Sequence, residues 1–233
     1  MRLVMLDTET TGLRVEEGHR LIEIGCIECV DRRVTERVFH TYLNPEREVD
    51  EGATQVHGLT LDQLRDKPRF EEVVDAFLDF IRDAQVVIHN AEFDRGFLNS
   101  ELKRLGRPPL EGHVAAIIDS LAQARERHPG QRNSLDALCQ RYSVSNEHRV
   151  LHGALLDARL LADVYMAMTR GQESLVMAAD DDLEADPSFA IDSSMIVVRR
   201  ASEQECAAHE AILQEIDKVS GGQTVWRHQN SNA

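Results

Sequence analysis

The period of the apolar positions changes about one fifth of the way along the chain. Before residue 44, continuous or alternating apolar runs predict strands at Arg2–Leu6, Leu21–Val30 and Val34–Leu43. A polar Asp31-Arg32-Arg33 stretch separates the last two and is typical of a turn. The chain is therefore predicted to begin with a β-meander.

Helical spacing then alternates with short apolar runs. Between residues 70 and 83, for example, apolar residues recur every three or four positions, as on one face of a helix. The predicted helices are Phe70–Asp83, Phe93–Leu105, Asp119–Arg127, Ser134–Tyr142 and Ala154–Met168, and the predicted short strands are Val86–Ile88 and Val114–Ile118. A meander followed by this alternation predicts an α/β fold, in which helices cover a mixed sheet.

The pattern ends after Gly171. Residues 178–193 are acidic and nearly devoid of large apolar side chains, which predicts a solvated, flexible linker. Order is expected to return near Met195–Val198. A capping box, Ser202 with Glu205, then predicts a helix that runs to about Val219 and ends at two glycines. The predicted divisions are a globular domain at 1–171, a linker segment at 172–201 and a helical tail at 202–233.

The length of 233 residues suffices for one core of roughly 150 to 200 residues with an appendage. The first residues lack the features of a signal peptide, and no apolar run approaches the roughly 18 residues of a membrane helix. We therefore expect a soluble cytoplasmic protein.

Cys26 and Cys29 form a C-x-x-C on a predicted strand, where residues three apart point to opposite faces. They are thus expected to be separate thiols in a reducing compartment.

The net charge of −15 is unusual for a protein that binds nucleic acid, because phosphates attract basic surfaces. Residues 171–233 carry 12 acidic and 4 basic residues, a balance of −8, and residues 1–170 carry 29 and 22, a balance of −7. The acidic globular part argues against tight static binding to DNA. It is compatible with an enzyme whose acids hold cations and which a partner delivers to DNA.

Four acids and one histidine occur where strands end or helices begin. Asp7 and Glu9 lie two apart at the end of the first strand, so they face the same side of an extended chain. Asp94 follows Val86–Ile88, and Asp157 lies in the first turns of the last helix of the globular part. His152 is expected to precede that helix on a loop and to turn toward Asp157. Each alone is typical of a cap or a surface group.

Taken together, three stretches resemble the exonuclease motifs of the DEDD superfamily, histidine subtype: Asp7-Thr8-Glu9, His89-Asn90-Ala91-Glu92-Phe93-Asp94 and His152-Gly153-Ala154-Leu155-Leu156-Asp157. The likeness covers most of the chain and is closer to the bacterial proofreading members that accompany replicative polymerases. Further similar stretches are Leu6–Gly12, Ile22–Gly25, Val56–Gly58 and Arg132–Cys139. The resemblance implies a ribonuclease H-like exonuclease fold with a mixed five-stranded sheet flanked by helices.

The resemblance also implies 3′→5′ removal of mispaired nucleotides from DNA ends, with release of nucleoside 5′-monophosphates. Two divalent ions roughly 3.5–4 Å apart, Mg²⁺ or Mn²⁺, would be held by Asp7, Glu9, Asp94 and Asp157. Asp7 would bridge both ions, Glu9 and Asp157 would complete the ion that activates water, and Asp94 would support the other. His152 would accept the proton of the attacking water. The residues expected to line the pocket for the terminal nucleotide are Thr10, Leu13, Val56, His57 and Phe93.

The tail resembles a segment that binds partner proteins. Residues 172–177 look like a short peptide for the sliding clamp, with Gln172, Ser174, Leu175 and Met177 as its contacts; the alternative is a frayed helix end. Trp226, the single tryptophan, is the expected anchor on the polymerase subunit. The alternative there is that the tail packs on its own domain. Whether a small theta-like accessory subunit joins the complex stays open.

Two other functions compete with DNA proofreading. An RNA 3′-end-trimming exonuclease of the same superfamily shares the acids and the histidine, but has no need of a clamp peptide or a polymerase-binding tail. A scaffold that bridges polymerase and clamp, with a vestigial nuclease site, requires only the tail. The intact set of Asp7, Glu9, Asp94, His152 and Asp157 favours catalysis.

Overall fold

The computed structural model describes residues 1–146, 151–170 and 201–221. The chain divides into two compact units, Met1–Leu175 and Val176–Ala233. The strands of the first unit are β1 (Arg2–Thr10), β2 (Leu21–Val30), β3 (Arg33–Tyr42), β4 (Gln85–Ile88) and β5 (Ala116–Asp119). Its helices are α1 (Glu51–His57), α2 (Leu61–Leu64), α3 (Phe70–Ile81), α4 (Ala91–Arg104), α5 (Ser120–Arg127), α6 (Leu135–Tyr142) and α7 (Ala154–Met168), with 3₁₀ turns at Val15–Glu17 and Leu110–Gly112.

The strands form one mixed sheet in the order β3-β2-β1-β4-β5. The β-meander of β1, β2 and β3 is antiparallel, whereas β4 runs parallel to β1 and β5 runs parallel to β4. The predicted mixed five-stranded sheet is thereby confirmed. Because β1, β4 and β5 are parallel, their carboxyl ends lie at the same edge of the sheet, where ligands commonly bind in α/β folds.

Helices cover both faces of the sheet, because side chains of a strand alternate between faces. One face, which we call the α4 face, packs Val4 and Leu6 of β1 against α3 and α4. The other, the α7 face, packs Leu3 and Met5 against α6 and α7. Cys26 belongs to the core of the α4 face and Cys29 to that of the α7 face, as their spacing predicted. Neither is in a disulfide.

The largest differences from the predicted elements lie at β1 and in residues 44–69. β1 continues four residues beyond Leu6 to Thr10, although its last four residues are polar. The helices α1 and α2 had no predicted counterpart, because each is short and carries few apolar residues. Asp119, predicted as the first helical residue, instead caps α5 with its side chain.

A buried ion pair joins the chain before β2 to α4. Two nitrogens of the Arg20 guanidinium bind the two carboxylate oxygens of Glu101, with an Nη2 to Oε2 distance of 2.8 Å. Their side chains are 13% and 5% exposed, so removal of either partner leaves a charge in a poorly solvated place. The pair therefore holds the carboxyl-terminal half of α4 against the sheet.

In the second unit, the structure describes the helix α8 (Glu203–Ser220). The predicted capping box is confirmed: Ser202 Oγ accepts from the Glu205 amide, and Glu205 Oε2 accepts from the Ser202 amide at 2.8 Å. Gly221 ends the helix in the left-handed region, with φ of 65°. The linker 178–193 and Met195–Val198 lie outside the described residues. Across the described part of the chain, no helix is both long and apolar enough to cross a membrane.

The amino-terminal end of α7 packs directly on β2 at Gly25. A Cβ added to Gly25 would lie 2.3 Å from the carbonyl carbon of Ala154 and 2.4 Å from the amide nitrogen of Leu155. Both atoms belong to the backbone, so α7 would have to move away from the sheet. Only glycine permits this approach.

We therefore expect Gly25→Ala to lower the free energy of unfolding by about 1–3 kcal/mol, the usual penalty for overpacking a core. Urea unfolding followed by circular dichroism measures this change. The matched control is Gly96→Ala in α4, where the added Cβ would meet one side-chain atom at 3.9 Å. That substitution should raise the free energy by about 0.5–1 kcal/mol through helix propensity. Equal effects of the two substitutions would contradict the close-packing interpretation.

Candidate active site

The carboxyl end of β1 supplies two acids on one face. Asp7 lies opposite Gly25 and Glu9 opposite Glu23 in the antiparallel register with β2. Both acids therefore belong to the α7 face, as their two-residue spacing predicted. Thr8, between them, points to the α4 face. The strand thus directs acids to one side and a hydroxyl to the other.

Asp94 approaches Thr8 from the α4 face. After β4, Asn90 adopts a left-handed conformation with φ of 70°, and α4 begins at the next residue, so Asp94 lies in its first turn. Asp94 is 3% exposed, and Thr8 Oγ1 donates a hydrogen bond of 2.7 Å to its Oδ1. Burial raises the pKa of Asp94 to about 7, with a further rise from Asp119 and an opposing effect from the Thr8 hydrogen bond. A nearby cation would offset this cost of burying a carboxylate.

The start of α7 supplies the fourth acid. Asp157 lies in the first turn of α7, where its amide donates to the Gly153 carbonyl at 2.9 Å, and it is 3% exposed. Because α7 packs on β2 at Gly25, and Gly25 lies opposite Asp7, the start of this helix is held beside the acids of β1.

The loop before α7 carries His152, as predicted. Its Nδ1 lies 3.2 Å from Asp157 Oδ2, and its side chain is 44% exposed. Its backbone amide donates to the Val56 carbonyl, near the end of α1, at 3.1 Å. The histidine is therefore held by two different elements, one through its ring and one through its backbone.

The five predicted catalytic residues line one cleft of about 720 Å³. Within the described residues, Glu9, His152 and Asp157 each offer a donor atom within 4.8 Å of the others. Carboxylate oxygens dominate this donor set, and Asp7 and Asp94 line the same cleft. Such a set of donors suits a divalent metal ion.

A second cavity of about 400 Å³ adjoins the cleft, and Glu9, Leu13 and Phe93 line both. The structure brings all five predicted pocket residues to its wall: Thr10, Leu13, Val56, His57 and Phe93. Leu13 is 81% and Val56 45% exposed, so both present apolar surface to solvent. Burial lowers the pKa of His57, and the charge of His152 lowers it further, against a rise from the Thr10 backbone. Burial therefore favours the neutral form of His57.

Several residues that position the site escaped the prediction. Thr8 has a signal in the sequence, since a polar residue between two acids on a strand must face the opposite side. Asp119 accepts from the amides of Leu121 and Ala122 at 2.8 and 3.1 Å and so caps α5. Ser120 Oγ donates to the Ile88 carbonyl at 3.2 Å and lies 2.9 Å from His89 Nδ1. The two Ser120 contacts join residues 31 and 32 positions apart, so no local pattern reveals them.

The predicted partner-binding residues of the tail, Gln172, Ser174, Leu175, Met177 and Trp226, lie outside the described residues. The described helix α8 exposes Ile212, Ile216 and Val219, which are 58%, 43% and 91% accessible. These three residues are four and three positions apart, so they lie on one side of the helix.

Comparison with known proteins finds related sequences and related folds. The family model described as "Exonuclease", of the RNase T type, matches residues 4–165. Proteins named DNA polymerase III subunit epsilon from Salmonella typhimurium and Escherichia coli K12 are each 48% identical over 237 residues, covering 97% of this chain and 97% of the relative. The protein of that name from Haemophilus influenzae is 40% identical, covering 99% of this chain and 97% of the relative.

Solved structures share the fold. Exonuclease X in complex with 5′ overhanging duplex DNA superposes with a TM-score of 0.55 at 24% identity, covering 71% of this chain and 90% of the other. The nuclease domain of 3′hExo, a DEDDh family member bound to rAMP, gives a TM-score of 0.60 at 17% identity, with coverage of 72% and 90%. With the sequence relatives, these findings establish that the chain belongs to the exonuclease family and, within it, to the DNA polymerase III epsilon subunits.

Proposed function

We propose that this chain removes mispaired 3′-terminal nucleotides from DNA as the proofreading subunit of DNA polymerase III, releasing nucleoside 5′-monophosphates. One observation carries the proposal: Asp7, Glu9, Asp94, Asp157 and His152 line a single cleft that adjoins an apolar-walled pocket. The pocket suits a nucleotide at a chain end, and the acids suit the hydrolysis of its phosphodiester.

The four carboxylates would hold two divalent ions, Mg²⁺ or Mn²⁺. Glu9 and Asp157 would help to hold the ion beside His152, Asp94 would help to hold the other, and Asp7 would contribute to both. When bound, such ions neutralise phosphate charge, acidify a water molecule and stabilise the leaving 3′ oxygen. Thr8 contributes by holding Asp94 Oδ1, so that the carboxylate keeps one orientation.

His152 would act as the general base. A histidine accepts a proton near neutral pH, which suits the deprotonation of an attacking water. Its Nδ1 faces Asp157 at 3.2 Å, and this contact would stabilise the imidazolium that forms. The exposed ring can then pass the proton to solvent.

The adjoining pocket would accept the terminal nucleotide without reading its identity. Phe93 packs on Phe97 with ring centroids 5.0 Å apart, so its own ring is held in place at the pocket wall. Leu13 and Val56 offer exposed apolar surface to a base, and stacking on such groups tolerates every base. Selectivity for mispairs would come from the strand, because a mispaired end separates at a lower free-energy cost.

The remaining expectations complete the proposed role. Residues 1–171 would form the exonuclease domain, 172–201 the clamp-binding peptide and linker, and 202–233 the segment that binds the alpha polymerase subunit, with Trp226 as an anchor. Residues 172–177 would bind the beta sliding clamp. The protein would work in the cytoplasm at the replication fork. Support comes from the relatives' name and from the apolar residues that α8 exposes.

The decisive experiment measures mononucleotide release from 5′-labelled single-stranded DNA and from RNA of matched sequence, with Mg²⁺ or Mn²⁺. Wild-type protein should shorten DNA in the 3′→5′ direction, and Asp7→Ala/Glu9→Ala should lower the rate by about 10³-fold or more, because ion binding is lost. The control is Asp62→Ala/Asp66→Ala, which removes two exposed acids that do not line the cleft and should leave the rate unchanged.

The same experiment separates the competing functions. A strong preference for RNA would favour the trimming enzyme. Absence of metal-dependent hydrolysis of either nucleic acid, with polymerase binding retained, would favour the scaffold.

Divalent ions should also stabilise the folded protein, because they bind the acidic cleft only when it is assembled. At 100 times the dissociation constant, binding adds about 2.7 kcal/mol. For a domain of this size we expect the melting temperature to rise by about 5 to 10 °C. Scanning calorimetry with and without Mn²⁺ measures the shift, which Asp7→Ala/Glu9→Ala should largely abolish. An equal shift in that variant would place the ions elsewhere.

His152→Gln should separate proton transfer from ion binding. We expect turnover on single-stranded DNA to fall by about 10²–10⁴-fold, because glutamine cannot accept the proton of the attacking water. The shift of melting temperature with Mn²⁺ should persist. Single-turnover kinetics and calorimetry check both parts, and a variant with the wild-type turnover would exclude His152 as the base.

A further inference from the structure

The described lining of the cleft has an excess of negative charge and one guanidinium group. Five of its lining residues are acids, Asp7, Glu9, Asp94, Asp136 and Asp157, and among the described lining residues Arg125 is the single Lys or Arg. We propose that Arg125 binds a phosphodiester of the DNA strand on the 5′ side of the scissile bond. The proposal rests on the exonuclease function proposed above and assigns its next contact with the substrate.

The rotation of α5 about its axis fixes where Arg125 points. Ser120 is tied to the Ile88 carbonyl at the end of β4, and Ala124 is fully buried in the core of the α7 face. Leu121 and Arg125 lie four residues apart, hence on one face of the helix, and both line the cleft. Arg125 is about 6 Å farther along the axis than Leu121. It therefore stands one helical turn away from the edge of the sheet, along the cleft.

Among the described residues, Arg125 has no partner that would neutralise its charge. It is exposed, and within the described residues it makes no hydrogen bond or ion pair. The next arginine along the chain differs: Arg127 Nη1 donates to the Met168 carbonyl at 2.9 Å and so ties α5 to the end of α7. An exposed guanidinium at the wall of an acidic cleft can bind an anion.

Charge explains why the substrate needs this contact. Two divalent ions would offset the four acids at the scissile phosphate, but their effect is local. A phosphate farther along the cleft would face Asp136, which Asn146 holds through a 3.0 Å hydrogen bond to its Oδ1. A guanidinium can bind two phosphate oxygens at once and would offset this repulsion. Without it, the strand would meet like charge on one side of its path.

The test replaces single phosphates of the DNA by uncharged methylphosphonates, one position at a time, upstream of the scissile bond. With wild-type protein and Mn²⁺, a methylphosphonate at one of these positions should lower kcat/KM by about tenfold. In Arg125→Gln, kcat/KM for unmodified DNA should be about tenfold lower, mainly through KM, and the methylphosphonate at that position should have no further effect. Arg125→Lys should restore part of the loss, since it keeps the charge but not the paired donors.

The salt dependence gives a second readout. The slope of log kcat/KM against log salt concentration should be shallower by about 0.7 in Arg125→Gln, the value for one phosphate contact with a single strand. The matched control is Lys103→Gln, an exposed cation near the end of α4 that does not line the cleft, which should change neither readout.

Two outcomes would overturn the proposal. One is a methylphosphonate profile in Arg125→Gln identical to that of the wild type, and the other is a loss of kcat/KM with the salt slope unchanged. Failure of the underlying exonuclease function would differ from both, because the wild type itself would then hydrolyse no DNA. A melting temperature of Arg125→Gln equal to that of the wild type shows that the fold is intact.

Discussion

Repulsion between carboxylates is the constraint on which the rest of this structure depends. Four acids are held in one cleft, two of them almost fully buried, and like charges so placed separate unless the surrounding structure fixes them. The fold fixes them with rigid elements rather than loops. A strand carries Asp7 and Glu9, the first turns of two helices carry Asp94 and Asp157, and the contact of α7 with Gly25 brings the second helix close. Bound cations would reduce the repulsion between these carboxylates.

Charge also accounts for the contrast between the acidic chain and its proposed substrate. A net charge of −15 would repel DNA from most of the surface. The proposed function needs no broad basic face, because the ions in the cleft and a partner polymerase would bring the strand end into place. A weak intrinsic affinity for DNA would suit this proposed function. The enzyme must release a correctly paired DNA end and bind that end again only when the end melts.

The sequence revealed the site more completely than it revealed the fold around it. Strand β2 and helix α7 have the predicted bounds, because each carries a long apolar pattern with clear ends. The five acid and histidine positions were predicted from the resemblance of three stretches to known exonuclease motifs, and these residues line one cleft. Three features could not be read locally: the extension of β1 through polar residues depends on pairing with β2, α1 is short and His57 is its one buried residue, and Gly25 matters only because α7 crosses it.

A backbone hydrogen bond joins the wall of the pocket to the loop that carries His152. The Val56 carbonyl, in the wall of the pocket, accepts from the amide of His152, so the pocket wall and the loop of the proposed base are mechanically coupled. A nucleobase that fits poorly against Val56 would therefore also displace His152. In the proposed reaction, discrimination among chain ends would therefore appear in the turnover number more than in the affinity. The enzyme would act as a kinetic filter, in which an ill-fitting end is bound but hydrolysed slowly.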